Sequence, residues 1–196
     1  MIMATDRVTV AIQGGAGSFS HQAAIRLLGP NLVVRGHGNF EATVRTLLNG
    51  EARYLVLPIH NSSLGRIPGT GKLLQSRSLI LLRTVCIPIS QCLIGLPDAS
   101  PERPCRVASH PAALAQCRRF FREHRHFTPV PAEDTATSVA AMVVHQDPAL
   151  LAIAPHQAAY LYGVRILGKA IQDQPDNRTC FALFQCLPRC ERTVGA

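Results

Sequence analysis

Short apolar runs alternate with amphipathic segments along the whole chain. The runs are three to seven residues long, rich in Val, Ile and Leu and closed by glycine, proline or polar residues, which is typical of buried strands. The segments between them repeat their apolar positions with the period of a helix, and Ser20 and Asp134 or Thr135 are candidate N-caps. The predicted strands are residues 8–12, 32–34, 54–59, 106–108, 150–154, 164–167 and 180–186, and the predicted helices are residues 21–28, 40–48, 111–124, 135–145 and 155–160.

Strands that alternate with helices at short spacing indicate a layered α/β fold with mostly parallel strands. Residues 79–96 interrupt this alternation with two apolar runs that Pro88 separates. We therefore expect two lobes with crossovers near Val85 and Val164. The first lobe would comprise residues 1–85 and 164–196, and the second residues 86–163.

Composition and charge narrow the class of protein. Hydrophobic residues make up 47% of the chain and charged residues 16%, which excludes a disordered chain. The net charge of +8 suits an anionic partner, but the basic residues are scattered. With no tryptophan and 5% aromatic residues, the chain offers little for stacking on single-stranded nucleic acid. A small anionic ligand is the expected partner, and no nucleic acid is expected.

The seven cysteines include no CxxC pair, and several lie inside apolar runs. We expect them to be buried thiols in a reducing compartment, with neither a disulfide framework nor a zinc site. The N-terminus lacks the apolar region of a signal peptide, and no apolar run is long enough to cross a membrane. These features predict a soluble cytoplasmic protein without a metal or other cofactor.

Four polar segments follow predicted strands, where open α/β sheets bind their ligands at helix N-termini. Each of them, taken alone, is equally explained as a turn or a helix cap. The four segments are residues 14–20, 60–65, 109–111 and 134–138.

Read in order, these segments resemble the catalytic domain of prephenate dehydratase. The family's Gly-Pro-x-Gly-Thr/Ser-Phe/Tyr-Ser corresponds to Gly-Gly-Ala-Gly-Ser-Phe-Ser at 14–20, and its Pro-Ile-Glu-Asn-Ser-Ser-x-Gly to Pro-Ile-His-Asn-Ser-Ser-Leu-Gly at 58–65. Ser-His-Pro with Gln-Cys, Asp-Thr-Ala-x-Ser and Asn-x-Thr-Arg-Phe have counterparts at 109–117, 134–138 and 177–181. The resemblance extends from about residue 8 to residue 186.

The resemblance implies a fold of the type 2 periplasmic-binding-protein kind, with the substrate cleft between two lobes. It also implies a lyase that converts prephenate to phenylpyruvate with loss of carbon dioxide and water, in phenylalanine biosynthesis. Family members continue into an ACT domain that binds phenylalanine, whereas this sequence ends at Ala196, so we expect no feedback inhibition of that kind. A homodimer is possible by the same resemblance.

The resemblance also implies the site residues. Thr179 corresponds to the threonine most closely tied to catalysis, and we expect its hydroxyl to form a hydrogen bond to the departing ring hydroxyl. The expected catalytic residues are Thr179, Asn61 and His60. The expected substrate-binding residues are Ser18, Phe19, Ser62, Ser63, Gln116, Thr135 and Arg178.

Two departures from the family pattern leave alternatives open. His60 replaces the family's glutamate, and Cys180 replaces its arginine, which removes a fixed positive charge. Arg178 lies on the same strand face as Cys180 and either offsets part of this loss or is simply an exposed residue. One alternative is a decarboxylase that releases carbon dioxide from prephenate without forming an aromatic ring. Another is a binding module without catalysis. The sequence does not distinguish prephenate from its aminated analogue, arogenate.

Overall fold

The computed structural model describes residues 7–74 and 78–187, which form two lobes, each built on its own β-sheet. The predicted two-lobed α/β architecture is confirmed. In chain order the elements are β1 (Val8–Gln13), α1 (Phe19–Leu28), β2 (Leu32–His37), α2 (Phe40–Leu48), β3 (Tyr54–Asn61), β4 (Gly65–Arg66), α3 (Thr70–Leu74), β5 (Leu79–Pro88), β6 (Cys92–Gly95), β7 (Cys105–Ser109), α4 (Pro111–Ala115), α5 (Arg118–Glu123), β8 (Phe127–Pro131), α6 (Thr135–His145), β9 (Leu150–Ala154), α7 (His156–Tyr162), β10 (Arg165–Gly168) and β11 (Arg178–Cys186).

The first lobe is a sheet with strand order β2-β1-β3-β11-β5, to which β4 adds beside β3. β1 runs parallel to β2 and β3, whereas β11 is antiparallel to both of its neighbours. Because successive side chains on a strand point to opposite faces, Phe181 and Leu183 pack towards α1, and Ala182 and Phe184 pack towards α2. Both faces are thus apolar, and functional side chains are left to the strand ends.

The second lobe repeats this plan with strand order β10-β6-β9-β7-β8. β7 is parallel to β8 and β9, and β6 is antiparallel to β9 and β10. α6 and α7 cover one face, where Met142 and Ala158 are buried, and α4 and α5 cover the other, where Cys117 is buried. No helix among the described residues is long and apolar enough to span a membrane.

The crossovers between lobes lie later in the chain than predicted. β5 continues in the first sheet to Pro88, so the first crossover is residues 89–91. β10 pairs with β6 in the second sheet, so the second crossover is residues 169–177, not the segment before Val164. The cause is the antiparallel pairing of β10, which a parallel α/β pattern does not suggest.

Three other local predictions need correction. Ser18, not Ser20, caps α1, because its Oγ accepts the N–H of His21. The predicted helix at 111–124 is broken into α4 and α5, since the Asp173 carboxylate accepts the N–H groups of Arg118 and Arg119 at the start of α5. The sequence also did not predict β8, whose run Phe-Thr-Pro-Val-Pro contains two prolines.

Cys86 and Cys180 form a disulfide bond, so the prediction that all cysteines are thiols is wrong for this pair. They lie directly opposite each other on the antiparallel strands β5 and β11, with Cα atoms 3.9 Å apart. Cys92, Cys105 and Cys117 are buried free thiols, as predicted, and burial raises the pKa of Cys117 to about 12. Cys186 is free and partly buried, and Cys190 lies outside the described residues.

Loss of this disulfide is expected to lower the free energy of unfolding by about 2–4 kcal/mol, because the bond closes a long loop of the unfolded chain. The two cysteines are 94 positions apart. Urea unfolding of Cys180→Ser, with Cys186→Ser on the same strand as control, measures the difference. Alkylation of both Cys86 and Cys180 in denatured, unreduced protein would contradict the bond.

Candidate active site

A cavity of about 210 Å³ lies between the two lobes. This is below the roughly 300–1,000 Å³ typical of drug-sized ligands and suits a small metabolite. From the first lobe it is lined by the ends of β1 and β3, the start of α1 and the start of β11. From the second lobe it is lined by the segments that lead into α4 and α6. The cavity thus lies at the carboxyl ends of the parallel strands of both sheets, where ligands of open α/β sheets bind.

Asn61, at the end of β3, organises one wall of the cavity and is 3% exposed. Its Nδ2 donates to Thr179 Oγ1 and to Asn177 Oδ1, both at 2.8 Å. Its Oδ1 accepts the backbone N–H groups of Ser63 at 2.9 Å and Leu64 at 3.0 Å. Both donor hydrogens and both acceptor positions of the amide are therefore used. Asn61 fixes its neighbours and has no donor left for a ligand.

Thr179 faces the cavity from β11 and is 7% exposed. It pairs directly with Asn61 across the antiparallel strands, which explains the short side-chain hydrogen bond. Because Thr179 Oγ1 accepts from Asn61, its own hydroxyl hydrogen remains available, and no described residue accepts it. The hydroxyl can therefore donate into the cavity.

The turn before α1 forms a second wall. Gly14 and Gly17 adopt φ of 85° and 90°, in the left-handed region that favours glycine, and a β-carbon on Gly17 would lie 2.9 Å from the backbone of Ala158 in the other lobe. The Gly17 N–H donates to His21 Nδ1, and burial lowers the pKa of His21, which favours the neutral acceptor form. The turn is thus held tightly against the second lobe.

Ser18 and Phe19 line the cavity at the start of α1. The first N–H groups of a helix have no partner within it and attract anions. In α1 the Ser18 side chain accepts the N–H of His21, and the N–H groups of Phe19 and Ser20 have no acceptor among the described residues. This end of the cavity can bind a carboxylate.

The second lobe contributes Gln116 and Thr135 to the lining. Thr135 is the first residue of α6, and the preceding Asp134 caps that helix by accepting the N–H groups of Ala136 and Thr137. Gln116 Oε1 accepts from Gln91 Nε2 at 3.2 Å. Six of the ten predicted site residues therefore meet at one cavity: Thr179, Asn61, Ser18, Phe19, Gln116 and Thr135.

His60 and Arg178 are not brought to the cavity. Strand alternation places His60 on the face opposite Asn61, where it pairs with Cys180 of β11 and is exposed. Arg178 likewise points away from the face of Thr179, and its side chain is absent from the lining. The two departures from the family pattern, at 60 and 180, thus lie on the outer face of the sheet.

Ser62 and Ser63 also lie outside the cavity lining, and their hydroxyl groups form hydrogen bonds within the protein. Ser62 Oγ accepts the N–H of Arg178 at 2.9 Å and donates to Asn177 Oδ1 at 3.3 Å. Ser63 Oγ donates to Gln174 Oε1 at 2.6 Å. Both serines hold the second crossover against the end of β3, a structural role in place of the predicted substrate contact.

The structure adds two residues that the sequence interpretation missed. Gln91, in the first crossover, is 2% exposed and lines the cavity; its N–H donates to Gln172 Oε1, and its own Oε1 has no partner among the described residues. Glu133, just before α6, lines the cavity beside Asp134. Two features of the sequence could have identified these residues. Gln91 is a polar residue inside the apolar segment 79–96, and Glu133 is an acidic residue next to the predicted helix cap.

Charge in this cavity comes from carboxylates. Glu133 and Asp134 are the acidic residues of the lining, and no lysine or arginine occurs among its described residues. His110 also lines it, with Nδ1 accepting the N–H of Ala112. Any anionic group of a ligand must therefore rely on helix N–H groups and neutral donors.

Two lobes around a cleft, with an Asn–Thr pair at the end of adjoining strands, define an α/β protein with a polar cavity between its lobes. Residues 10–187 match the prephenate dehydratase family, and the chain belongs to that family.

Individual relatives and solved structures are similar to this chain over most of its length. The chain is 33% identical over 187 residues to arogenate dehydratase/prephenate dehydratase 1 of Arabidopsis thaliana, an alignment that covers 95% of this chain and 47% of the relative. It thus spans about half the length of that protein. Prephenate dehydratase from Arthrobacter aurescens, solved with L-Phe, superposes with a TM-score of 0.82 at 27% identity, covering 92% of this chain and 61% of the other. GqqA, described as a novel type of quorum-quenching acylase, gives a TM-score of 0.80 at 28% identity, covering 92% and 64%.

Proposed function

We propose that this protein is a dehydratase that removes carbon dioxide and water from prephenate or arogenate, forming phenylpyruvate or phenylalanine in the biosynthesis of aromatic amino acids. The observation that carries the proposal is the 2.8 Å hydrogen bond from Asn61 Nδ2 to Thr179 Oγ1. It occupies the acceptor side of the threonine hydroxyl and leaves the hydrogen free for a substrate oxygen. Relatives named as arogenate and prephenate dehydratases support this reaction class.

The chemistry requires two bonds of the substrate to break. The bond between the ring and its carboxylate breaks, carbon dioxide leaves, and the electron pair enters the ring. The carbon–oxygen bond of the ring hydroxyl breaks on the opposite side of the ring, and the oxygen leaves as water after it gains a proton. The ring becomes aromatic, which provides the driving force.

Thr179 is placed to stabilise the departing oxygen. A threonine hydroxyl is too weak an acid to transfer a full proton readily, so its contribution is a hydrogen bond that strengthens as negative charge develops on the oxygen. The proton that completes the water comes from solvent. Asn61 acts through Thr179 and is a positioning residue.

The start of α1 is placed to bind a substrate carboxylate. The free N–H groups of Phe19 and Ser20 and the positive end of the helix dipole act as neutral donors to an anion. Thr135 at the start of α6, together with Gln116, provides further polar contacts from the other lobe. Because both lobes line the cavity, a bound substrate would be partly shielded from water, and weaker solvation of the ring carboxylate favours its loss.

Acylase chemistry of the kind named for GqqA lacks support in the cavity. Hydrolysis of an amide by a serine or threonine nucleophile needs a neighbouring base. Among the described cavity residues, no serine or threonine hydroxyl is hydrogen-bonded to a histidine ring, since Ser18 Oγ accepts the backbone N–H of His21 and Thr179 Oγ1 is bonded to an asparagine. We therefore retain the lyase assignment.

Turnover is tested by measuring carbon dioxide release from prephenate and, separately, from arogenate. We expect release with wild-type protein and with His60→Ala, because His60 lies on the outer face of the sheet. No release from either substrate would overturn the proposal and favour a binding module. A large loss in His60→Ala would contradict the placement of that side chain.

A further inference from the structure

We propose that the Cys86–Cys180 disulfide is a site of reversible reduction by dithiols, and that its reduction lowers turnover at the neighbouring Thr179. The first part is independent of the reaction catalysed, whereas the second part rests on the proposed function. The disulfide is separate from the cavity, because neither cysteine belongs to the cavity lining.

The disulfide is accessible to a reductant from one side. Cys86 lies on β5, the strand at the edge of the first sheet, and is exposed. Cys180 lies on the next strand inward and is only partly exposed. An incoming thiolate therefore reaches Cys86 Sγ first, and Cys180 Sγ is the sulfur that leaves when the bond breaks.

Two arginines and a histidine share the sheet face of the leaving sulfur. Arg178 is exposed two positions before Cys180 on β11, and His60 lies directly opposite Cys180 on β3. Arg66 of β4 pairs with His60 and shares the same face. The strands β3, β4, β5 and β11 contain no aspartate or glutamate. Because cationic neighbours stabilise a thiolate, this environment favours displacement of Cys180.

The reduction proceeds by two thiol–disulfide exchanges. One thiolate of the dithiol attacks Cys86 Sγ, and the electron pair of the S–S bond leaves on Cys180 Sγ, which then takes a proton from water. The second thiol of the reductant loses its proton to solvent, attacks the reductant's own sulfur in the mixed disulfide, and displaces Cys86 as a thiolate. Two electrons thus pass to the protein, and the reductant becomes a disulfide. A disulfide oxidant reverses the same steps.

Reduction affects Thr179 through β11. Thr179 immediately precedes Cys180 and pairs with Ile87, the residue after Cys86 on β5. On the other side of β11, the pairing with β3 shifts its register directly after Cys180, so the hydrogen-bond ladder is interrupted close to Thr179. The disulfide is therefore the covalent link that fixes this part of β11, and without it the Thr179 hydroxyl is less firmly positioned.

The disulfide also lies close to both crossovers between the lobes. β5 ends at Pro88, before the first crossover, and β11 begins at Arg178, after the second. The N–H of Ile89 donates to the Asn177 carbonyl at 2.8 Å, and Ile89 lines the cavity. Loosening of the two strands at this point therefore reaches the cavity wall as well as Thr179.

Mapping of thiol adducts tests the modification site. Native protein is treated with limiting reduced glutathione and quenched in acid, and we expect mass spectrometry to find the mixed disulfide on Cys86. After dithiothreitol, iodoacetamide should label Cys86 and Cys180, while the buried thiols Cys92, Cys105 and Cys117 stay unlabelled. Reduction only in urea, or an adduct mainly on Cys180, would overturn this part of the inference.

Arg178→Gln tests the environment of the leaving sulfur. Loss of the cation should slow reduction by dithiothreitol about threefold, because the rate depends on how well the leaving thiolate is stabilised. Arg83→Gln is the matched control on the opposite face of β5, where Arg83 pairs with Leu183, and should be reduced at the wild-type rate. Equal rates in Arg178→Gln and wild type would contradict the assignment of Cys180 as the leaving sulfur.

Steady-state kinetics tests the coupling to Thr179. We expect kcat of the reduced protein to be about tenfold below that of the oxidised protein, since a small loss of positioning costs rate. Oxidised glutathione should restore the activity. Cys86→Ser should show the lower kcat with or without reductant. Full reduction without a change in kcat would overturn the coupling.

Hydrogen exchange decides the coupling if neither substrate reacts and the proposed function fails. Amides around Thr179 should exchange faster in the reduced protein than in the oxidised protein, while those of β9 in the second lobe should not change. Equal exchange around Thr179 in the two forms would overturn the coupling, whatever the adduct mapping shows.

Discussion

Thr179→Val is expected to lower kcat by about 10²–10³-fold, the loss typical of removing one donor that stabilises developing negative charge. The substitution conserves the shape of the side chain and removes the hydroxyl that Asn61 orients into the cavity. Because the interaction strengthens only as the ring oxygen departs, kcat should fall more than the substrate affinity. Steady-state kinetics on the better of the two substrates measures both parameters.

Two matched variants make this result specific. Thr179→Ser retains a hydroxyl at the same position and should recover most of the lost activity. Thr84→Val makes the same chemical change on the neighbouring strand, opposite Ala182 and away from the cavity, and should leave kcat unchanged. Wild-type activity in Thr179→Val would refute the assignment of the hydroxyl.

Asn61→Asp is expected to separate the two functions of the asparagine. The carboxylate still accepts the N–H groups of Ser63 and Leu64, but it can no longer donate to Thr179 or Asn177. The Thr179 hydroxyl then donates to the carboxylate and turns away from the substrate, so we expect kcat to fall at least about 10²-fold.

The free energy of unfolding should change differently in Asn61→Leu and in Asn61→Asp. Asn61→Leu leaves buried groups on both sides without partners and should lower the free energy of unfolding by about 1–3 kcal/mol. Asn61→Asp keeps the accepted bonds and should unfold closest to wild type below the pKa of the new carboxyl, where no charge is buried at this position. Asn39→Asp is the control, since its Oδ1 continues to cap α2. Equal kcat in Asn61→Asp and wild type would contradict the positioning role.

The sequence predicted the location of the site more accurately than the direction of its side chains. Polar segments that follow strands meet at one edge of an α/β sheet because parallel strands share their carboxyl ends. That rule is sufficient to place Ser18, Asn61 and Thr135 around one cleft. It does not decide which of two adjacent residues faces the cleft, and His60 shows this, since only Asn61 shares a sheet face with Thr179.

Long-range pairing accounts for most of what the sequence did not show. The Cys86–Cys180 bond depends on the register between β5 and β11, which lie far apart in the chain. The absence of a hydrogen-bond partner for Gln91 Oε1 among the described residues results from how the two crossovers pack against each other. The position of the Glu133 carboxylate depends on the space that Gly38, in the other lobe, leaves open by having no side chain. Local patterns carry no information about such contacts.

The fate of the ring hydroxyl tests the account most directly. Wild-type protein is incubated with prephenate and with arogenate, and the products are identified by proton NMR. We predict fully aromatic products, phenylpyruvate and phenylalanine, with Thr179→Val slowing their formation. A non-aromatic product that has lost carbon dioxide but keeps its ring hydroxyl would contradict the dehydratase assignment. The protein would then be a decarboxylase that does not form an aromatic ring.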